Sequence, residues 1–506
     1  MLTADPTRIH DLRADLEDAG YAVDALADLL GPAAGAALHR DQLLPARRSL
    51  AGRDEPAALL VRFFVLGEAL PAALLDLAVP RTGAAGLRAL GLVTSGVRAP
   101  GTAPTRGGPP LTAAVDLRPY GDGRRTWWVV SDLSELLVGG PLPTSHVLGV
   151  GGASTTLASW TPRPPVDRAL DLGTGCGVQA LHLSGHARSV VATDVSARAL
   201  QMARFTAALN DVSLELREGS MLEPLGEEAF DLVVSNPPFV ITPRQEGVPR
   251  YGYRDGGLSG DRLVADMVGG IGRHLRPGGT AQLLANWELG PGEDWTDHVS
   301  GWLEGTGLDA WVVQREVQDA EGYAETWVRD GGSRPGTDGF DRLYGAWLDD
   351  FAARGVERVG FGVVTLQRPA TGRGPWRDLV DVRHPVAGPM GPAVLAGLRA
   401  RTWLAEHDDD ALLDVAWQVA DDVTEERVGR PGAPDPQVIQ LRQGGGLRRT
   451  VRLTTLGAGF VGACDGDLTA RQLCAGLAVL TEVATPVVVD EVLPLLRDLV
   501  KDGLLR

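Results

Sequence analysis

From about residue 160 to residue 370 the chain alternates strand-like and helix-like stretches, and no other feature limits its fold so strongly. "RALDL", "SVVAT", "SLELRE" and "AFDLVVS" read as short strands, with "GVQALHLSG" and "SARALQMARFTAALN" as the helices between them. Strands separated by helix-length connections cannot pair as hairpins, so they line up in parallel with helices on both faces. Further on, the helix "DRLVADMVGGIGRHL", the turn "RPGG" and the strands "TAQLLAN", "AWVVQREV" and "RVGFGVVTLQR" supply the second half of the sheet. The expected class is α/β, with a central Rossmann-like, seven-stranded, mostly parallel sheet.

The flanks follow a different grammar. Residues 7 to 98 carry apolar positions at three- and four-residue steps, a helical period. A Pro/Gly/Thr-rich break, "RAPGTAPTRGGPP", leads to two strand-like pieces joined by Gly121-Asp122-Gly123. Helices followed by a hairpin resemble a winged helix, and "LTARQLCAGLAVL" with "PVVVDEVLPLLRDLVKDGLLR" suggests a second such module at the C-terminus. The expected organisation is a helical module over 1–150, an α/β domain over 151–370, and a C-terminal module over 371–506. The last helix sets Asp490, Glu491 and Asp498 against Arg497 and Lys501, a balance better suited to a protein contact than to a phosphate backbone.

Charge and cysteine content narrow the function classes. Over 506 residues the formal net charge is −17, which opposes broad attraction to nucleic acid or anionic membranes and leaves only local contacts. Cys176, Cys464 and Cys474 have neither zinc-site spacing nor the density of a disulfide framework, so a cytoplasmic protein without a metal is expected. The acidic start "MLTADPTRIHDLRADLEDAG" lacks the features of a signal peptide, and no apolar run is long enough to span a membrane. The acidic run Glu406 to Asp410 reads as a solvated turn.

Two motifs carry chemistry. "DLGTGCG", Asp171 to Gly177, follows a strand and opens a helix, the setting in which glycines let backbone approach a ligand. Asp194 ends the next strand, where a carboxylate can accept from a ribose hydroxyl pair. "VVSNPPF" then places Asn236, Pro237, Pro238 and Phe239 after a strand. Proline ends the ladder in a stiff extended turn and fixes the Asn236 amide where the strand stops.

These motifs together resemble the class I S-adenosylmethionine-dependent methyltransferases over residues 166 to 290. The resemblance implies S-adenosylmethionine as cofactor. It places Asp171, Gly173, Thr174, Gly175 and Gly177 around the methionine part, Asp194 on the ribose and Ser220 near the adenine amine. It also implies that Asn236-Pro237-Pro238-Phe239 holds a planar nitrogen, with Asn236 Oδ1 and the Pro237 carbonyl accepting its N–H groups and Phe239 offering a stacking face. A conjugated nitrogen is a poor nucleophile, which is why it needs an in-plane acceptor to orient it.

Arg250, Tyr251 and Tyr253, with Arg244 and Arg254, form a basic and aromatic loop after the motif, suited to a phosphate and a stacked base. The expected substrate is the exocyclic amine of a nucleic acid base, RNA ahead of DNA. The alternative is a protein glutamine side chain, as in release-factor glutamine methyltransferases, whose following segment resembles "YRDGGLSGDRLVADMVGGIGRHLRPGG". The upstream "HVLGVGGASTTLASWTPR" lacks that family's Pro-Arg-x-x-Thr-Glu element. A non-catalytic, cofactor-binding winged-helix regulator is the alternative outside the enzymes.

Overall fold

The computed structural model describes residues 1–40, 42–95, 110–138, 142–432 and 435–506. All of the 98–110 break except its last residue lies outside them. Helices α1 (Pro6–Asp18), α2 (Val23–Leu38), α3 (Leu43–Ser49), α4 (Pro56–Leu60), α5 (Ala72–Ala78) and α6 (Gly83–Leu90) precede a short ladder of β1 (Val93–Ser95) and β2 (Leu111–Ala113). The hairpin β3 (Asp116–Gly121) and β4 (Thr126–Ser131) turns at Gly121-Asp122-Gly123, where Asp122 Oδ1 accepts from the Arg124 and Arg125 amides. Two short helices, α7 (Glu135–Val138) and α8 (Gly152–Trp160), lead into the central sheet.

That sheet contains β5 (Val166–Leu172), β6 (Ala187–Asp194), β7 (Glu215–Glu218), β8 (Phe230–Ser235), β9 (Leu275–Leu289), β10 (Asp309–Asp319), β11 (Arg358–Gln367) and β12 (Arg377–Asp381), in the order β12-β10-β11-β9-β8-β5-β6-β7. Helix α9 (Val178–Leu183) joins β5 to β6, α10 (Ala197–Leu209) joins β6 to β7, and α11 (Arg262–Ile271) precedes β9. The ladders β5/β6, β6/β7, β5/β8 and β8/β9 are parallel. The sheet has eight strands rather than seven, because β12 pairs in parallel with β10. Its sequence, "RDLVD", is short and half polar, as an edge strand with little burial can be, and it gives no strong strand signal. "RPGG" is not a plain turn before β9. Leu275 already pairs with Phe230, and the ladder resumes at Leu232–Thr280, so residues 276–279 bulge out of it.

The strand order reverses direction between β5 and β8, and at that switch point a crevice opens beyond the carboxyl ends of the strands. Both motifs end strands there.

The chain separates into two compact units. The first comprises Met1–Thr155, Pro165–Thr306 and Val317–Phe361; the second comprises Thr156–Pro164, Gly307–Glu316 and Gly362–Arg506. In the first unit the N-terminal helices and the hairpin share one apolar core with α9 and α10. Leu12, Leu16, Phe63, Phe64 and Leu117 pack in one cluster with Val178, Leu181, Met202, Phe205 and Leu209. Polar contacts fix the same junction. Asn210 answers the backbone of Trp128 in both senses, its Oδ1 accepting from the amide at 2.8 Å and its Nδ2 donating to the carbonyl at 2.7 Å. Arg13 donates to the carbonyls of Ala208 and Leu209, satisfying the last turn of α10.

The second unit carries a three-stranded antiparallel sheet over Val423–Val428, Val438–Gln443 and Thr450–Leu453, and helices over Thr455–Gly462, Ala470–Thr481 and Thr485–Lys501. Phe460, Cys474, Val488, Val492 and Leu496 form its core. The exposed face of the last helix bears Asp490, Glu491 and Asp498. Among the described residues no helix is long and apolar enough to cross a membrane.

Candidate active site

The crevice at the switch point is walled by the ends of successive strands. Gly173, Thr174 and Gly175 follow β5, Thr193 and Asp194 close β6, Gly219 and Met221 follow β7, and Asn236 and Pro238 follow β8.

The glycine loop is held by its own backbone and by two carboxylates. The amides of Gly173 and Thr174 both donate to the Thr193 carbonyl, at 2.9 and 2.8 Å, which seats the loop on the neighbouring strand. Gly173 and Gly175 adopt positive φ, +76° and +56°, and a side chain at either would meet no atom within 4 Å. They line open space where a ligand can approach the backbone. Gly177, at the start of α9, also adopts positive φ, +93°, but a Cβ there would touch Ala203 of α10 at ordinary contact distance, 3.4 Å, and not open space.

Asp171 is fully buried and does not face the crevice. Its Oδ2 accepts from Thr174 Oγ1 at 2.6 Å and from the Ala180 amide at 2.9 Å, tying the loop to α9. Its Oδ1 has no partner among the described residues, and burial raises its pKa to about 7. Asp171 therefore shapes the loop from behind. Asp194 does face the crevice. Its two oxygens are aimed by the Gly175 and Ser196 amides at 2.9 and 2.8 Å, and each oxygen keeps a lone pair for a ligand hydroxyl. Burial raises its pKa against the opposing backbone hydrogen bonds.

The open loop, the aimed Asp194 carboxylate and the apolar Val195 and Met221 beside it fit a nucleoside joined through a sulfonium to an amino acid, the shape of S-adenosylmethionine. Gly219 and Met221 line this end while Ser220 between them does not. Cys176 is also in the wall, but burial pushes its thiol up to about 12, away from thiolate chemistry.

The Asn-Pro-Pro-Phe turn is clamped on both sides. Ser235 Oγ donates to the Leu172 carbonyl at 2.7 Å, locking the end of β8 to the end of β5. Beyond the prolines, the Val240 amide donates to the Arg254 carbonyl at 2.9 Å, and the Ile241 amide donates to Tyr323 Oη at 3.0 Å. Asn286 also donates to Tyr323 Oη, at 2.9 Å. Within this rigid frame Asn236 Oδ1 is buried and accepts no hydrogen bond among the described residues. Asn236 lines the same crevice as Gly173 and Asp194. Pro237 is buried and absent from the crevice wall, and its carbonyl accepts from the Phe239 amide at 2.7 Å.

The remaining residues expected at the site divide. Tyr253 lines the crevice, with its hydroxyl donating to Asp330 at 3.1 Å. Tyr251 does not: it is buried and its hydroxyl donates to the Gly331 carbonyl. Phe239 turns into an apolar cluster with Tyr323 and Trp327 and is absent from the crevice wall. Arg254 is buried against Asp330, and Arg244 is paired with Asp255. Arg250 is exposed and makes a long 3.4 Å donation to the Arg244 carbonyl.

One wall has no signal in local sequence. Thr144 to Gly149 pass over the crevice as a strap. The Val147 amide donates to Asp132 Oδ2 at 2.8 Å, the Asp132 amide donates back to the Val147 carbonyl, and the Gly252 amide donates to the Thr144 carbonyl. Arg198 of α10 braces Asp132 from below. His146, in the strap, is buried, and burial holds its pKa below the usual histidine range.

Residues 149–299 match the family model described as "Methyltransferase small domain". Residues 18–103 and 396–506 match models described as domains of unknown function, DUF7059 and DUF7782. A release factor glutamine methyltransferase of Geobacter sulfurreducens is 36% identical over 162 residues, covering 30% of this chain and 55% of that protein. A ribosomal protein uL3 glutamine methyltransferase of Bradyrhizobium diazoefficiens is 31% identical over 189 residues, covering 35% and 57%. A ribosomal RNA small subunit methyltransferase C of Shigella flexneri serotype 5b is 30% identical over 155 residues, covering 30% and 40%. The chain spans about half the length of the curated relatives it matches. Shared fold, strand-end motifs and family match agree: residues 149–299 are a methyltransferase small domain of the class I, S-adenosylmethionine-dependent type.

Proposed function

We propose that this chain methylates a planar, conjugated nitrogen. The observation that carries the reading is the acceptor Asn236 Oδ1, buried at the crevice wall without a donor among the described residues. A buried polar atom left unpaired costs roughly 1 to 3 kcal/mol, so a site that keeps one gains when a donor arrives. An amide or amino N–H is such a donor.

S-adenosylmethionine, when bound, supplies a methyl group made electrophilic by its sulfonium. Gly173 and Gly175 would border its amino-acid part and Asp194 its ribose. The other work falls to the β8 turn. Asn236 Oδ1 accepts an N–H of the incoming nitrogen and fixes its plane. Ser235, Tyr323 and the two prolines keep that acceptor from swinging, which is positional catalysis. The strap at 144–149 and Tyr253 restrict water.

The arginines that suggested a phosphate track are largely engaged within the protein, Arg244 by Asp255 and Arg254 by Asp330. Phe239, the expected stacking face, packs inward. Both observations, with the glutamine methyltransferases among the relatives, favour a polypeptide amide as acceptor. The second reading is a nucleic acid base amine, supported by the ribosomal RNA relative. A non-catalytic regulator has no use for a rigid unpaired acceptor.

The test is incubation with methyl-labelled cofactor and separated protein, RNA and DNA fractions. Labelling that Asn236→Ala slows by about 5-fold or more supports the reading. Equal labelling by wild type and Asn236→Ala refutes it.

A further inference from the structure

A second cavity of about 290 Å³ lies beside the crevice, between the β3–β4 hairpin, the end of α2, the start of α3 and the strap. His146, Leu148, Gly149 and Tyr253 line both hollows, so one layer of side chains separates them. Nothing in the clamp around Asn236 requires this second space. It exists because the N-terminal module is fused to α9 and α10 by a common core and holds the strap through Asp132.

The chemistry of its wall is selective. Among the described residues three carboxylates, Asp116, Asp132 and Asp330, face it together with one guanidinium, Arg118. Arg118 is committed to Asp116 at 2.7 Å, while the cations balancing the other two, Arg198 and Arg254, stand outside the lining. His146 adds no positive charge, because burial disfavours its protonated form. A phosphodiester entering here would find no uncommitted guanidinium in the lining among the described residues. Leu38, Leu43, Leu142 and Leu148 give the rest of the wall an apolar character that side chains of a polypeptide can fill.

We propose that this cavity binds the polypeptide residues flanking the methyl acceptor, and that those residues are apolar or basic. The inference rests on the planar-nitrogen reading and adds the class of macromolecule and the place where its flank is recognised. Specificity then resides in the N-terminal module, and the acceptor side chain reaches Asn236 past His146 and Tyr253.

Two variants obstruct the cavity without touching the cofactor loop. Ser134→Trp places an indole in it, and Leu43→Arg sets a bulky cation at a half-buried helix end. Each is assayed for labelled methyl transfer to the protein and RNA fractions of a bacterial extract, and for cofactor binding by titration calorimetry. The expected result is label in protein, resistant to ribonuclease, falling by roughly tenfold or more in both variants while cofactor affinity stays within about twofold of wild type. Label in RNA, or undiminished protein labelling in both variants with intact cofactor binding, overturns the proposal. Failure of the underlying reading has a different signature, transfer at the wild-type rate by Asn236→Ala.

Discussion

Replacing Asn236 with alanine separates a catalytic acceptor from a structural one. Most buried asparagines are hydrogen-bonded, and deleting them costs stability because their partners are stranded. Asn236 Oδ1 has no partner to strand among the described residues. Asn236→Ala therefore removes an unsatisfied acceptor at the expense of a small void beside an open crevice. Stability is expected to stay within about 1 kcal/mol of wild type, or to rise. Catalysis is expected to move the other way. With the substrate N–H left unpaired in the transition state, a loss of roughly 1 to 3 kcal/mol lowers kcat/KM by about 5- to 150-fold. The assay pairs urea unfolding with initial rates of labelled methyl transfer, and calorimetry checks that cofactor affinity is kept. A variant that loses several kcal/mol of stability, or that turns over like wild type, refutes the reasoning.

Other consequences follow from the same geometry. Gly175→Ala forces a side chain into positive φ, at a cost of about 1 kcal/mol, and into the open space where the cofactor would lie; cofactor affinity should fall with only a small drop in melting temperature. Asp194→Ala deletes the carboxylate aimed by the Gly175 and Ser196 amides and should weaken cofactor binding about tenfold or more, measured by calorimetry. Asp171 has its folded pKa raised from 3.8 to about 7 by burial, so the folded state holds its proton more tightly than the unfolded chain. Its contribution to stability is full below about pH 4 and is lost as pH rises through 7; Asp171→Asn should flatten urea midpoints across that window. His298, between Asp261 and Glu293, has its pKa raised from 6.5 to about 9, first by the hydrogen bond to Asp261. That stabilisation is full below about pH 6.5 and is lost toward pH 9, so His298→Gln should be less stable at pH 6 and nearly equal to wild type at pH 9.5.

How much of this was legible depended on whether a constraint was local. Gly173, Gly175 and Pro238 reveal themselves because backbone conformation depends on residue type, and Asp194 because it ends a strand at the right distance from the loop. Asp171 was legible as part of the loop but not in its direction, since only the fold shows it bonding to Thr174 and Ala180 from behind. Tyr251 and Tyr253 are two residues apart with the same side chain, yet one donates to Gly331 inside the protein and the other lines the crevice. Partners about 80 residues away decide that difference. The strap at 144–149 has no periodicity, and its position is fixed by Asp132 and Gly252. β12 escaped notice because a half-polar edge strand needs little apolar sequence.

The central claim concerns the atom that receives the methyl group. Mass spectrometric fragmentation of the labelled acceptor, produced by wild-type protein with methyl-labelled cofactor, locates it directly. Methyl on an amide or amino nitrogen, formed more slowly in the Asn236→Ala reaction, is the predicted result. Methyl on an oxygen, sulfur or carbon of the acceptor would contradict it.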